Sequence, residues 1–182
     1  GGGGGYVRGE LAVVPGNVCS IQIGAGGSSA NSATAADGGD SFISLGVNSF
    51  IATGGGGAIY LSANRFNPGL GGAAASSATP KSYIIVPGDI GGVHTKRYEQ
   101  SNTTTFHEMT DGGNGGGTYK YPNVGGNSGH CIYNLGTSSP FILSASGANA
   151  QIPGGGGASG LVSSCSTVFA GNGAKGMVIV YY

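Results

Sequence analysis

Glycine stands in blocks in this chain, at residues 1–5, 24–27, 54–57, 112–117 and 154–157, and the blocks lie against runs with strand character. A glycine loses more backbone freedom on folding than any other residue and costs an ordered structure roughly 0.5–1 kcal/mol relative to alanine. With 41 glycines in 182 residues, about three times the usual share, the fold must draw something from them. A flexible linker does not fit, because linkers mix serine with glycine and sit between domains, whereas these blocks recur within one domain's length. The structure that fits is the extended helix of the polyproline II type, with about three residues per turn and no internal hydrogen bonds. Every N–H and C=O of such a helix points outward. Side by side, with no side chains to hold them apart, glycine helices bond laterally and satisfy their backbones. Dense glycine is then the condition for packing.

The segments between the blocks read as strands. Residues 6–14, "YVRGELAVV", lead into the turn "PGN", in which proline presets one φ and glycine supplies a positive one. "VCSIQI" at 18–23 resumes the alternation, so 6–23 predicts a β-hairpin. "SFISLGVNSFIATGGGG" predicts a second hairpin about Gly46, and "KSYIIVPGDI" repeats the strand-then-PG order. The closing "GMVIVYY" is dense in β-branched and aromatic residues and is expected to pair in a sheet, since a free strand of this kind is an adhesive edge. Glycine and β-branched crowding leave no window for a helix.

Composition narrows the function. Charged residues make up 8% of the chain and the net charge is zero, the opposite of a disordered segment, and the length fits one domain, 1–182. There is no basic stripe for nucleic acid; Lys96-Arg97 reads as part of a solvated loop. No apolar run reaches the roughly 18 residues of a membrane-spanning helix. A chain that opens on five glycines reads as the C-terminal part of a longer one. Cys19, Cys131 and Cys165 allow at most one disulfide and read as small buried thiols.

Motifs for chemistry are weak. Gly155, Gly157 and Gly160, and Gly171, Gly173 and Gly176, satisfy G-x-G-x-x-G, but a dinucleotide site needs a strand before and a helix after, and chance matches are expected in a chain this rich in glycine. His94 and His107 are too far apart for a zinc pair, and His130-Cys131 are adjacent. "DGGD" at Asp37–Asp40 has too few carboxylates for a calcium loop and reads as a turn. No G-x-S-x-G elbow occurs, and Glu10, Glu99 and Glu108 are not paired for acid–base work. The reading is of a chain with no catalytic residues, no cofactor and no metal.

The order of landmarks, "GGGGGYVRGELAVVPGNVCSIQIGAGG", then "SFISLGVNSFIATGGGG", then "GNGAKGMVIVYY", resembles the glycine-rich domain of bacteriophage tail fibres and other virion appendages. That resemblance implies a mainly β fold, a small jelly-roll-like β-sandwich related to tumour-necrosis-factor-like modules, with interleaved polyglycine segments and little or no helix. It also implies a non-enzymatic virion protein, extracellular, assembled as a homo-oligomer with the trimer favoured, touching other virion proteins and a glycan or protein of the bacterial surface, with no nucleic acid and no membrane insertion. The family has strands ahead of its first glycine block that this sequence lacks.

The chain departs from the family pattern at 81–143, which reads as an inserted polar and aromatic loop region. Residues 81–120 hold eight of the 14 charged residues (seven basic and seven acidic) and two of the three histidines. Specificity tends to sit in such segments, and exposed aromatic rings beside polar groups suit recognition of sugars or protein surfaces. Tyr98, Phe106, His107, Tyr119 and Tyr121 are therefore the candidate binding residues. The competing reading is an assembly subunit, a capsid decoration, fibre shaft or extracellular filament. An ice-binding protein would show a regular three-residue glycine repeat along the whole chain, which is absent.

Overall fold

A computed structural model describes residues 1–30, 33–62, 65–76, 83–92, 95–100, 106–111, 116–117, 126, 130–134, 142–144, 147–158 and 170–182. Its described residues are strands and extended segments, with no helix. The strands are β1 (Tyr6–Gly9), β2 (Ser20–Gln22), β3 (Ser41–Leu45), β4 (Asn48–Ala52), β5 (Ile59–Ser62), β6 (Arg65–Asn67), β7 (Ala74–Ser76), β8 (Tyr83–Val86), β9 (Thr95–Gln100), β10 (Phe106–Asp111), β11 (His130–Asn134) and β12 (Ile142–Ser144). They form two four-stranded antiparallel sheets, ordered β2-β3-β4-β7 and β12-β11-β10-β9, and two two-stranded ribbons, β1-β8 and β5-β6.

The glycine blocks hold these sheets together. In residues 1–5 each N–H leaves in a direction that recurs every third residue. Gly2 and Gly5 donate to the carbonyls of Gly56 and Thr53, Gly1 and Gly4 to those of Gly157 and Gly154, and Gly3 to Asp89. That is the geometry of a threefold extended helix bonded to three neighbours at once. The same three-residue step recurs elsewhere: Ala35 and Gly38 donate to Ala58 and Gly55, Ala36 and Gly39 to Ser28 and Ala25, Gly173 and Gly176 to Gly27 and Gly24, Gly88 and Gly91 to Gly72 and Gly69. The glycine runs therefore pack as a lateral lattice of antiparallel and parallel threefold helices.

Close packing explains the residue type. A methyl group on Gly2, Gly3 or Gly5 would overlap the carbonyl oxygen of Leu70, Gly117 or Ala73. Side chains would force the helices apart and break the lateral bonds, each worth about 1 kcal/mol net and more if a buried group is left unpaired.

Strand pairing follows the lattice. Runs 24–28, 35–40, 53–58 and 69–73 are successive bonded neighbours, and the strands attached to them, β2, β3, β4 and β7, pair in that order. Run 1–5 is bonded to run 88–91 through Gly3 and Asp89, and their strands β1 and β8 pair, with Tyr6 opposite Val86 and Gly9 opposite Tyr83. The expected hairpin of 6–14 with 18–23 is thus corrected: β1 pairs with β8 and β2 with β3, because run 24–28 has no bond to run 1–5. The turn itself forms, with Gly16 at φ 93° and Asn17 N–H donating to the Val14 carbonyl. The second hairpin forms as read, β3 with β4 about Gly46 at φ 60°.

The chain crosses the lattice repeatedly, so the sheets lie at its two ends. β1, β8 and β2-β3-β4-β7 make one tier, and β5-β6 and β9–β12 the other; no strand of β9–β12 contacts a strand of the first tier. The run 176–182 is a second correction. It continues from the lattice into the first tier but joins no sheet, and Ile179, Val180, Tyr181 and Tyr182 are exposed. The core of that tier is thin: Phe50, 5% exposed, is its one large buried side chain among the described residues.

Candidate functional site

The second tier carries the candidate binding residues whose backbone is described. The segment read as a loop at 93–110 is in large part a hairpin: β9 pairs with β10, and β10 with β11. Thr95, Tyr98, Phe106 and Thr110 supply β-branched and aromatic residues that suit a pleated pair in "TKRYEQ" and "FHEMTD". Tyr98 stands opposite Glu108, which stands opposite Tyr133 on β11; Phe106 stands opposite Gln100, and His107 is flanked by Glu99 and Asn134. By the period of two along a strand, positions 98, 106, 108 and 133 share one face, and 97, 99 and 107 share the other. The register therefore separates His107 from Tyr98 and Phe106. Tyr119, Tyr121 and His94 lie outside the described residues, as do Gly160 and Cys165.

Five of the chain's 14 charged residues, Lys96, Arg97, Glu99, Glu108 and Asp111, fall on this one hairpin. Lys96, Arg97 and Glu99 lie on β9 and Glu108 and Asp111 on β10, so both signs of charge fall on the paired strands.

"DGGD" is not a plain turn. Its two aspartates are three residues apart, one period of the glycine helix, and the Asp37 and Asp40 carboxylates accept the N–H groups of Gly57 (2.7 Å) and Gly54 (3.2 Å). They seal the outer donor row of run 53–58, where no further glycine helix is bonded. The signal was present in the sequence as the three-residue spacing of acids within a glycine block. Asn172 does similar work: its side chain accepts from Ser29 N–H, and its own N–H donates to the Asn149 side chain, both at 2.7 Å.

Gly171, Gly173 and Gly176 belong to the lattice, bonded to Ala158, Gly27 and Gly24, so this G-x-G-x-x-G match is spent on packing. Cys19 is exposed with a free thiol, which corrects the expected burial at that position. Cys131 lies in β11 opposite Thr110 and Ser144. Among the described residues no three His, Cys, Asp or Glu side chains come together as metal ligands.

The first tier contains a large opening, a cavity of 1830 Å³ that runs between the strands and down into the glycine lattice. Val13, Val14, Ile43, Ile84 and Met177 line its outer part, and Val13, Val14, Ile84 and Met177 are each about half exposed or more.

A slab of threefold glycine helices carrying antiparallel sheets at its ends defines a glycine-rich β-domain. The chain matches the family model of a glycine-rich domain over residues 1–182 and belongs to that family. No curated protein and no solved structure matches it.

Proposed function

We propose that the protein is a non-enzymatic virion structural component, part of a tail fibre or tail tip, which contacts the bacterial host surface through its second tier. The observation that carries this reading is the concentration of charged and aromatic residues, five of the 14 charges among them, on the β9-β10 hairpin of a sparsely charged frame. A surface glycan or protein is the class of ligand that such a patch of mixed charge and aromatic rings recognises. The frame serves as the scaffold and the hairpin as the recognition segment, the usual division of labour in such domains.

The test is adsorption of the purified chain to bacterial cells, compared with a double variant Arg97→Ala, Tyr98→Ala. Binding by the parent and a loss of about tenfold or more in the variant, the size expected for hot-spot residues, supports the reading. Equal adsorption by both, or none by the parent, removes it.

A second reading, an assembly subunit, is favoured by a different observation. The first tier leaves Val18, Ile21, Ile179 and Tyr181 exposed, and exposed apolar patches mark interaction surfaces. It predicts a homo-oligomer, with the trimer favoured, which light scattering on the purified chain measures directly.

A further inference from the structure

Six glycine runs close a ring in which each is hydrogen-bonded to the next. Run 1–5 bonds to 53–58, which bonds to 35–40, then to 24–28, then to 170–176, then to 154–158, and that run bonds back to 1–5. Directions alternate around the ring. All six runs line the one cavity.

In a lattice of threefold helices each member has six neighbours. Among the described residues run 1–5 has five: 53–58, 69–73, 88–91, 116–117 and 154–158. Its sixth position is the centre of the ring. The bond directions agree. Run 1–5 donates in three directions, and its carbonyls accept in two more, from Gly116 and Gly72. The row that remains, Gly2 and Gly5, accepts nothing among the described residues and faces the cavity.

The same count holds around the ring. In 35–40 the carbonyls of Ala36 and Gly39, and in 170–176 those of Gly171 and Ala174, have no donor among the described residues. In the three runs of opposite direction it is the N–H groups of Gly27, Gly55 and Gly157 that have no acceptor among the described residues. All nine residues line the cavity, while Gly3, Gly26, Asp37 and Lys175, which belong to other rows of the same runs, do not. Three acceptor rows alternate with three donor rows, the complement of one threefold helix built mainly of glycine. Three glycines that line this space would place a methyl between two runs of the ring without overlap: on Gly4, Gly38 or Gly173 its nearest neighbours lie at 3.3, 3.3 and 3.2 Å.

We propose that this vacant lattice position receives a glycine-rich segment of a separate polypeptide, inserted as a further helix of the slab, with an apolar strand on its flank that fills the outer cavity beside Val13, Val14, Ile84 and Met177. The described glycine runs of a second copy are engaged in that copy's own lattice, which favours a donor of different sequence but the same chemistry. The chain's own runs that enter the lattice from the first tier show the required order, strand then glycines, as in "SIQIGAGG" at 20–27 and "SFIATGGGG" at 49–57. The inference is independent of whether the second tier binds a host.

The experiment titrates the full chain with a synthetic peptide of sequence Ser-Ile-Gln-Ile-Gly-Ala-Gly-Gly-Gly-Gly, and with a control in which its glycines are replaced by valine. Calorimetry gives stoichiometry and single-residue amide exchange gives the place. Expected are one peptide per chain, exchange slowed by roughly tenfold or more at Gly27, Gly55 and Gly157, and no effect of the valine control. Gly4→Ala, whose methyl enters the vacant position, retains the parent's thermal stability and loses peptide binding by about tenfold or more, the scale of an overpacked site. Should that variant melt early, Gly173→Ala serves in its place. The proposal is overturned if the peptide leaves exchange at the three amides unchanged, if the valine control binds equally, or if the three amides are already protected in a self-associated form of the chain.

Discussion

Two adjacent glycines should respond very differently to the same substitution. At Gly3 a methyl overlaps the Gly117 carbonyl and lies within 3.0 Å of the Gly116 carbonyl carbon; both are backbone atoms that cannot swing aside. Relief requires the neighbouring run to move, which costs about 1–3 kcal/mol. It also stretches the bonds from Gly3 N–H to Asp89 (2.8 Å) and from Gly72 N–H to the Gly3 carbonyl (2.7 Å), each worth about 1 kcal/mol. The reduced freedom of the unfolded chain returns about 0.4–1 kcal/mol. Gly3→Ala should therefore lose about 2–4 kcal/mol, lowering Tm by roughly 5–15 °C for a domain of this size. At Gly4 the methyl's nearest neighbour is the Gly154 carbonyl oxygen at 3.3 Å, a tight contact relieved by a shift of a few tenths of an ångström. The unfolded-state term of about 0.4–1 kcal/mol offsets that shift, so Gly4→Ala should be close to neutral. Urea unfolding of both variants beside the parent, with equal slopes, measures the difference. Midpoints for Gly3→Ala and Gly4→Ala that agree within about 0.5 kcal/mol, the scatter of ordinary surface changes, would refute the packing argument.

Further outcomes follow from other contacts. Asp37→Ala removes the acceptor of the Gly57 N–H and should cost about 1 kcal/mol, while Asp40→Ala, with its longer bond to Gly54, should cost less; denaturant midpoints rank them. Gly46→Ala places a Cβ on a residue at φ 60° in open space, so its loss of about 1–2 kcal/mol comes from backbone strain alone and should be matched by Gly46→Ser in the same unfolding assay. In a chain that begins at Gly1, burial lowers the pKa of the terminal amine from 8.0. The folded state then disfavours the charged amine, so stability is greatest above pH 8 and falls as pH drops through the lowered value; acetylation of the amine should flatten that part of a stability–pH profile.

Much of the scaffold was legible because it follows from local chemistry. The three-per-turn glycine helix, its lateral bonding, the Pro15-Gly16 turn and the β3-β4 hairpin each rest on residues close in sequence. Strand partners were less so. β1 pairs with β8 rather than β2 because the lattice seats run 1–5 beside 88–91, and a block of identical glycines carries no mark of its lattice position. The terminal "MVIVYY" has strand composition but follows a run that borders the vacant position, and among the described residues it joins no strand. At the candidate site, Tyr98, Phe106 and His107 were found by composition, yet their division between two faces depends on the β9-β10 register, which a polar hairpin does not announce. The roles of Asp37 and Asp40 could have been read from their three-residue spacing once the glycine period was known.

The central claim is the hydrogen-bonded glycine lattice, and amide exchange of the folded chain at single-residue resolution tests it most directly. The account predicts slow exchange at Gly2, Gly3, Gly5, Gly38, Gly56, Gly91 and Gly173, each bonded to a neighbouring run, beside fast exchange at Gly27, Gly55 and Gly157 in the same blocks. Uniformly fast exchange across all the glycine blocks, at the rate of an unstructured chain, would contradict it.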